Sequence, residues 1–171
     1  MKILNTFVFF GLVLAACSRP SITEEEAFKL IAASKGYPQM LSYQVYTKDA
    51  EDGRLIMDAG LVKEGLATVA RDHKTGENQK PIIEFTEAGK AFLLPADKGQ
   101  LSSVQKVKIA EEVIDSIVAI QINEQQKTAV VTYTSKYTNV NPFSRLDKKD
   151  YTQVKKHEVT LLYTKDGWTL K

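Results

Sequence analysis

The chain has 171 residues, with 23 Lys and Arg against 21 Asp and Glu, a formal net charge of +2, two histidines and one cysteine. That balance excludes the basic footprint of a nucleic-acid binder and a polybasic membrane patch, and one cysteine excludes an internal disulfide or a thiolate metal cage. Hydrophobic residues make up 43% of the sequence, enough for one ordinary domain or two small ones.

Lys2 opens the chain with a positive charge, and residues 3–16 are apolar apart from Asn5 and Thr6. A bilayer span takes about 20 apolar residues, so this run is too short to cross comfortably. It ends in the small residues Ala15 and Ala16, as a cleavable export signal does. The sequence Leu14-Ala15-Ala16-Cys17 resembles the lipobox of bacterial lipoproteins. The resemblance implies that Leu14, Ala15 and Ala16 are read by the signal peptidase. It also implies that the Cys17 thiol receives a diacylglyceryl group and that its new amino group is acylated by a chain such as palmitate. Two or more chains anchor stably, at about 0.8 kcal/mol per buried CH₂. Ser18, rather than Asp, follows the cysteine. By the same resemblance the expected location is the periplasmic leaflet of the outer membrane, or the outer face of the plasma membrane in a Gram-positive host. An ordinary signal peptide, or a membrane anchor that happens to contain a cysteine, is the alternative. The expected organisation is a signal at 1–16, a tether at 17–23, a helical and wing-like part at 24–100 and a β part at 101–171, the last two forming one compact unit.

In the mature chain, Ser21 with Glu24 or Thr23 with Glu26 makes a capping box, and Gly36 followed by Pro38 gives a stop. These predict a helix over 23–35. Residues 39–47 alternate like a short strand without settling the matter. Leu55, Ile56, Ala59 and Val62 fall at helical spacing and predict a helix over 49–64, against which Gly53, Gly60 and Gly65 argue. Residues 66–71 and 81–85 read as a hairpin around a polar loop, and Thr86 caps a helix over 87–94. From Val104 the period changes to two. In 112–122 one face reads Ile114, Ser116, Val118, Ile120 and Ile122; in 128–138 it reads Ala129, Val131, Tyr133, Ser135 and Tyr137. A strand over 157–164 carries Val159, Leu161 and Tyr163 on one face, and Asp166-Gly167 turns the chain back. The fold class expected is α+β: N-terminal helices with a wing-like β-hairpin, then a C-terminal antiparallel sheet of four or five strands.

Ala59-Gly60-Leu61-Val62, the hairpin and the segment Phe85-Thr86-Glu87-Ala88-Gly89-Lys90-Ala91-Phe92-Leu93 resemble the wing region of winged-helix proteins over about 40 residues. The basic recognition helix of the DNA-binding families is missing, so the resemblance implies local shape and not DNA binding. The β-rich half is similar to uncharacterised bacterial lipoproteins, and more loosely to cystatin-like and nuclear-transport-factor-like sheets.

No catalytic set stands out. His73 beside Asp72, and His157 beside Glu158, lack partners at metal spacing, and strand neighbours point to opposite faces. Both read as solvated surface histidines. No G-x-S-x-G is present. The carboxylates at Asp49, Glu51 and Asp52, and at Glu111 and Glu112, read as solvated turns or faces, because general acid work needs an apolar pocket. Arg145, Lys148, Lys149, Tyr151, Lys155 and Lys156 form a basic, aromatic-bearing segment. It reads as a candidate partner surface, or as a loop and edge strand kept soluble by lysine. The expectation is a lipid-anchored binding or structural module of the cell envelope. It is held to the membrane through Cys17, has an envelope protein or peptidoglycan as candidate partner, and has no cofactor, metal or nucleic acid. An envelope enzyme with a site of dispersed polar residues is the alternative.

Overall fold

The computed structural model describes residues 20–70 and 80–171. Leu14, Ala15, Ala16 and Cys17, and the wing loop with Asp72 and His73, lie outside the described residues.

Helix α1 (Glu24–Lys35) starts where Thr23 and Glu26 cap each other. The Thr23 hydroxyl accepts from the Glu26 N–H at 3.1 Å, and the Glu26 carboxylate accepts from the Thr23 N–H at 2.9 Å. Three glutamates in the first turn complement the helix dipole. Gly36, at φ 71°, closes the helix in the left-handed conformation that glycine adopts without strain. Strand β1 (Gln39–Tyr46) settles the ambiguous stretch. Helix α2 (Ala50–Asp58) fills only part of the predicted 49–64, because the chain turns out of the helix at Ala59 and at Gly60, φ 75°. Strands β2 (Ala67–Val69) and β3 (Ile83–Phe85) make the hairpin.

The helix predicted over 87–94 is a single turn, α3 (Glu87–Lys90). Strand pairing wins beyond it. Leu94 N–H donates to the Lys106 carbonyl and Lys108 N–H to the Phe92 carbonyl, both at 2.8 Å. Residues 92–94 therefore run along the opening of the next strand.

Strands β4 (Val104–Asn123), β5 (Thr128–Thr138), β6 (Lys155–Thr164) and β7 (Gly167–Leu170) form a curled antiparallel sheet with β1, in the order β1-β4-β5-β6-β7. The α+β class is as the sequence predicts. The fifth strand comes from the front half, so residues 24–100 and 101–171 share one sheet. A short 3₁₀ turn at Pro142–Leu146, between β5 and β6, buries Phe143 against Phe85 and Phe92, with ring centres 5.9 and 5.5 Å apart.

One predicted face is wrong in detail. The pairing of β4 with β5 slips between Ile114 and Ser116 and again between Ile117 and Ala119. Each slip inserts one unpaired residue, Asp115 and then Val118, and each changes which parity faces inward. The residues opposite the buried β5 row are Ile114, Ile117, Ile120 and Ile122, while Ser116 is exposed and Val118 is 55% exposed. A third slip, opposite Leu41 and Ser42, leaves both Ile109 and Ala110 buried. The β5 and β6 faces are as predicted.

The inner face of the sheet carries two apolar clusters. One gathers Val45, Ile56, Leu61, Ile83, Val107, Ile109 and Phe143 under α2 and the hairpin. The other gathers Ala27, Ile31, Ile114, Ala129, Val131, Tyr133 and Leu161 under α1. Beside these clusters, Glu112 and Ser135 are buried polar side chains on the same face.

Candidate functional site

Register brings the polar row together. Glu112 stands opposite Tyr137, Ile114 opposite Ser135, Ser135 opposite Lys155, and Tyr133 opposite His157, so three strands contribute to one patch. The Ser135 hydroxyl donates to Glu112 Oε1 at 2.6 Å and lies 2.7 Å from His157 Nε2. With its proton on Glu112, Ser135 accepts from His157, which requires the Nε2–H form of the ring. Lys155 Nζ reaches Glu112 Oε2 at 3.4 Å, and the imidazole stacks on Tyr133 at 4.9 Å. Tyr37 meets the Tyr133 ring edge-on at 6.3 Å.

Next to this row, Tyr137 packs edge-on against Tyr151 at 5.1 Å, and Lys149 and Lys155 place their ammonium groups 4.7 and 4.9 Å from its ring centre. Tyr151 donates its hydroxyl to Asp147 at 2.9 Å. The Tyr137 hydroxyl is buried, and among the described residues no partner meets it in good hydrogen-bonding geometry.

Burial acts most strongly on Glu112 and pushes its carboxyl up, yet the Ser135 hydrogen bond, the Lys155 charge and His157 together outweigh it and hold the group below the ordinary value. The Tyr137 side chain first, and then Glu112, hold the Lys155 ammonium above its usual range against the effect of burial. Tyr133 is raised by burial and then by Tyr37; Tyr151 is raised by burial and then by the Asp147 carboxylate.

The basic segment is divided. Lys149, Tyr151 and Lys155 gather around Tyr137. Arg145 instead forks onto both oxygens of Glu64 at 2.7 Å and donates to the Ala59 carbonyl at 2.8 Å, tying the 3₁₀ turn to the end of α2. Lys156 follows Lys155 on β6 and so points to the outer face, opposite Thr134. Lys148 is exposed beside Lys149.

Sequence reasoning read His157 against Glu158, its neighbour along the chain. The partners are Ser135 and Glu112, one and two strands away. The signal was there in Ser135, the one small polar side chain among Ala129, Val131, Tyr133 and Tyr137 on the inner face of β5, since a buried polar group needs a partner. His157 is partly covered rather than a freely solvated side chain.

The chemistry open to this row is limited by its order. In a nucleophilic triad the imidazole sits between hydroxyl and carboxylate; here the hydroxyl is in the middle, and Ser135 has no exposed surface. A lowered Glu112 is also the reverse of a general acid held neutral. Grooves lie away from this row, beside the hairpin, at the Lys35 end of α1 and beside Trp168. Among the described residues no group of three His, Cys, Asp or Glu side chains could hold a metal ion, and no helix is long and apolar enough to cross a membrane.

No family model, curated protein or solved structure matches the chain.

Proposed function

We propose that the chain is a lipid-anchored protein of the bacterial envelope that works by binding. Its anchor is a lipid on Cys17 and its contact surface is the cation–aromatic group of Lys149, Tyr151 and Lys155 around Tyr137. One observation carries the choice of surface: two lysine ammonium groups, one from the loop and one from β6, flank a single tyrosine ring. A cation–π contact at an exposed site contributes about 0.5–1 kcal/mol, less than the roughly 2 kcal/mol of rotamer entropy a fully fixed lysine loses. Lys149 and its exposed neighbour Lys148 are thus free to turn toward carboxylates of an acidic envelope protein or of peptidoglycan. The lipobox residues Leu14, Ala15, Ala16 and Cys17 support the anchor, with the outer membrane's periplasmic leaflet as the expected site.

An envelope enzyme remains the second reading, favoured by the meeting of Glu112, Ser135 and His157. The enclosed hydroxyl and the lowered carboxyl argue for binding instead.

In-cell crosslinking of the intact protein, purification and mass spectrometry test the proposal. The expected result is one dominant envelope component, recovered with wild type and lost with Lys148→Glu/Lys149→Glu. Recovery that ignores the charge reversal defeats the surface assignment. Labelled palmitate entering a Cys17→Ala variant as well as wild type defeats the anchor.

A further inference from the structure

The folded body begins very close to Cys17. The Trp168 indole N–H donates to the Ser21 carbonyl at 2.9 Å. Ile22 is 9% exposed and belongs to the cluster under α1. The tether expected over 17–23 is therefore pinned at Ser21. From Cys17 to Ser21 an extended chain spans at most about 14 Å. The headgroup layer on each side of a bilayer is itself about 5–8 Å thick.

The surface at the pinned point is a groove of about 340 Å³ lined by Ile22, Glu26, Leu30, Tyr163, Gly167 and Trp168. The Tyr163 and Trp168 rings lie 5.2 Å apart in it. Both are half-buried, with an apolar body and a polar edge, the side-chain type that partitions to the membrane–water boundary. The adjoining turns carry both signs of charge, Lys127 and Lys165 with Asp166, and the Glu24–Glu26 run is close in sequence to the pinned point. These charges leave the rim acidic on balance, with Glu26 in the groove itself, so charge does not draw it to anionic lipid and the aromatic pair is the feature that suits a headgroup layer.

We propose that this groove and the β6–β7 turn rest on the phospholipid headgroups of the membrane that holds Cys17, fixing the orientation of the domain. The inference rests on the lipid-anchor reading. It sets the height of the contact surface as well: Lys155 lies eight residues before Tyr163 on β6, about 27 Å along the strand. The Lys149–Tyr137–Lys155 group thus stands clear of the lipid, toward a partner in the aqueous space.

Trp168 is the only tryptophan, so its fluorescence reports this groove alone. The test uses the full lipidated protein in vesicles of phosphatidylethanolamine and phosphatidylglycerol whose acyl chains carry bromine near the headgroup. Strong quenching of Trp168, insensitive to added salt, is expected. A Trp168→Phe/Lys148→Trp variant, checked for folding by circular dichroism, is expected to be quenched several-fold less. Unquenched Trp168, or equal quenching at both positions, overturns the docking. Intact mass separates the two readings. A protein without acyl mass on Cys17 sinks the anchor and the docking together, whereas an acylated protein with unquenched Trp168 sinks the docking alone.

Discussion

Ser135 gives its proton to Glu112 and one lone pair to His157, and its hydrogen bond is the largest of the effects, with Lys155 and His157, that keep this buried carboxylate ionised. The consequence is a defined acid response. Glu112 titrates below its ordinary value of 4.5 in the fold; as pH falls, the unfolded chain takes up the proton first. Its contribution is thus full above the unfolded pKa and is lost as pH falls through the folded one. Glu26 shifts the same way at an exposed position where screening leaves little of the effect, and Glu111 does so from a partly covered one through Lys108 and Asn139. Urea denaturation followed from neutral pH to below 4.5 is expected to show a falling midpoint, with a flatter fall in Glu112→Gln. A different residue-scale constraint acts at Gly89, where an added Cβ would overlap the Leu66 carbonyl oxygen, a backbone atom that cannot turn aside. Gly89→Ala is expected to cost more than about 3 kcal/mol, at the severe end for single substitutions, read as a large drop in thermal midpoint.

Among the elements, β4 marks the limit of what periodicity can reveal. Alternation located β5 and β6 and assigned their faces, because each runs without a slip on its inner side. Local signals placed α1: its cap, its acidic first turn and its glycine stop. In β4 the two insertions at Asp115 and Val118 are long-range features, set by pairing with β5 and by the curl, and alternation over five residues conceals them. The same blindness hid the polar row, since Glu112, Ser135 and His157 are scattered along the chain and meet only through strand register. The correction is testable. Simple alternation makes Val118 a core residue and Ile117 a surface one; the pairing reverses them. Ile117→Ala is expected to cost about 2 kcal/mol or more as a partly buried truncation, while Val118→Ala stays within about 0.5 kcal/mol, as surface changes do. Denaturant midpoints of the two variants decide it.

Across the whole molecule, β4 threads both apolar clusters, contributing Val107 and Ile109 to one and Ile114 to the other. Neither cluster can lose its packing without disturbing the strand they share, so one cooperative transition is expected. Trp168 reports one end. A fluorophore on Met57→Cys in a Cys17→Ser chain reports the other, at a position already 41% exposed. Coincident urea transitions are the expected result, and separated ones would mean two independent units. The sheet is open, with β7 and β1 as its edges. β7 is four residues long, but β1 is eight, and its sequence Gln-Met-Leu-Ser-Tyr-Gln-Val-Tyr contains neither a charge nor a proline. Charge and proline are the usual guards against edge-to-edge growth. Concentrated solutions of the Cys17→Ser chain are therefore expected to aggregate along β1, and Gln44→Lys, at an exposed position on that edge, is expected to slow the rise in light scattering. Only at its Tyr46 end is this border capped, by the Asp52 carboxylate, so the concentration the folded chain tolerates is expected to be limited at the uncharged rim of the sheet and not in its core.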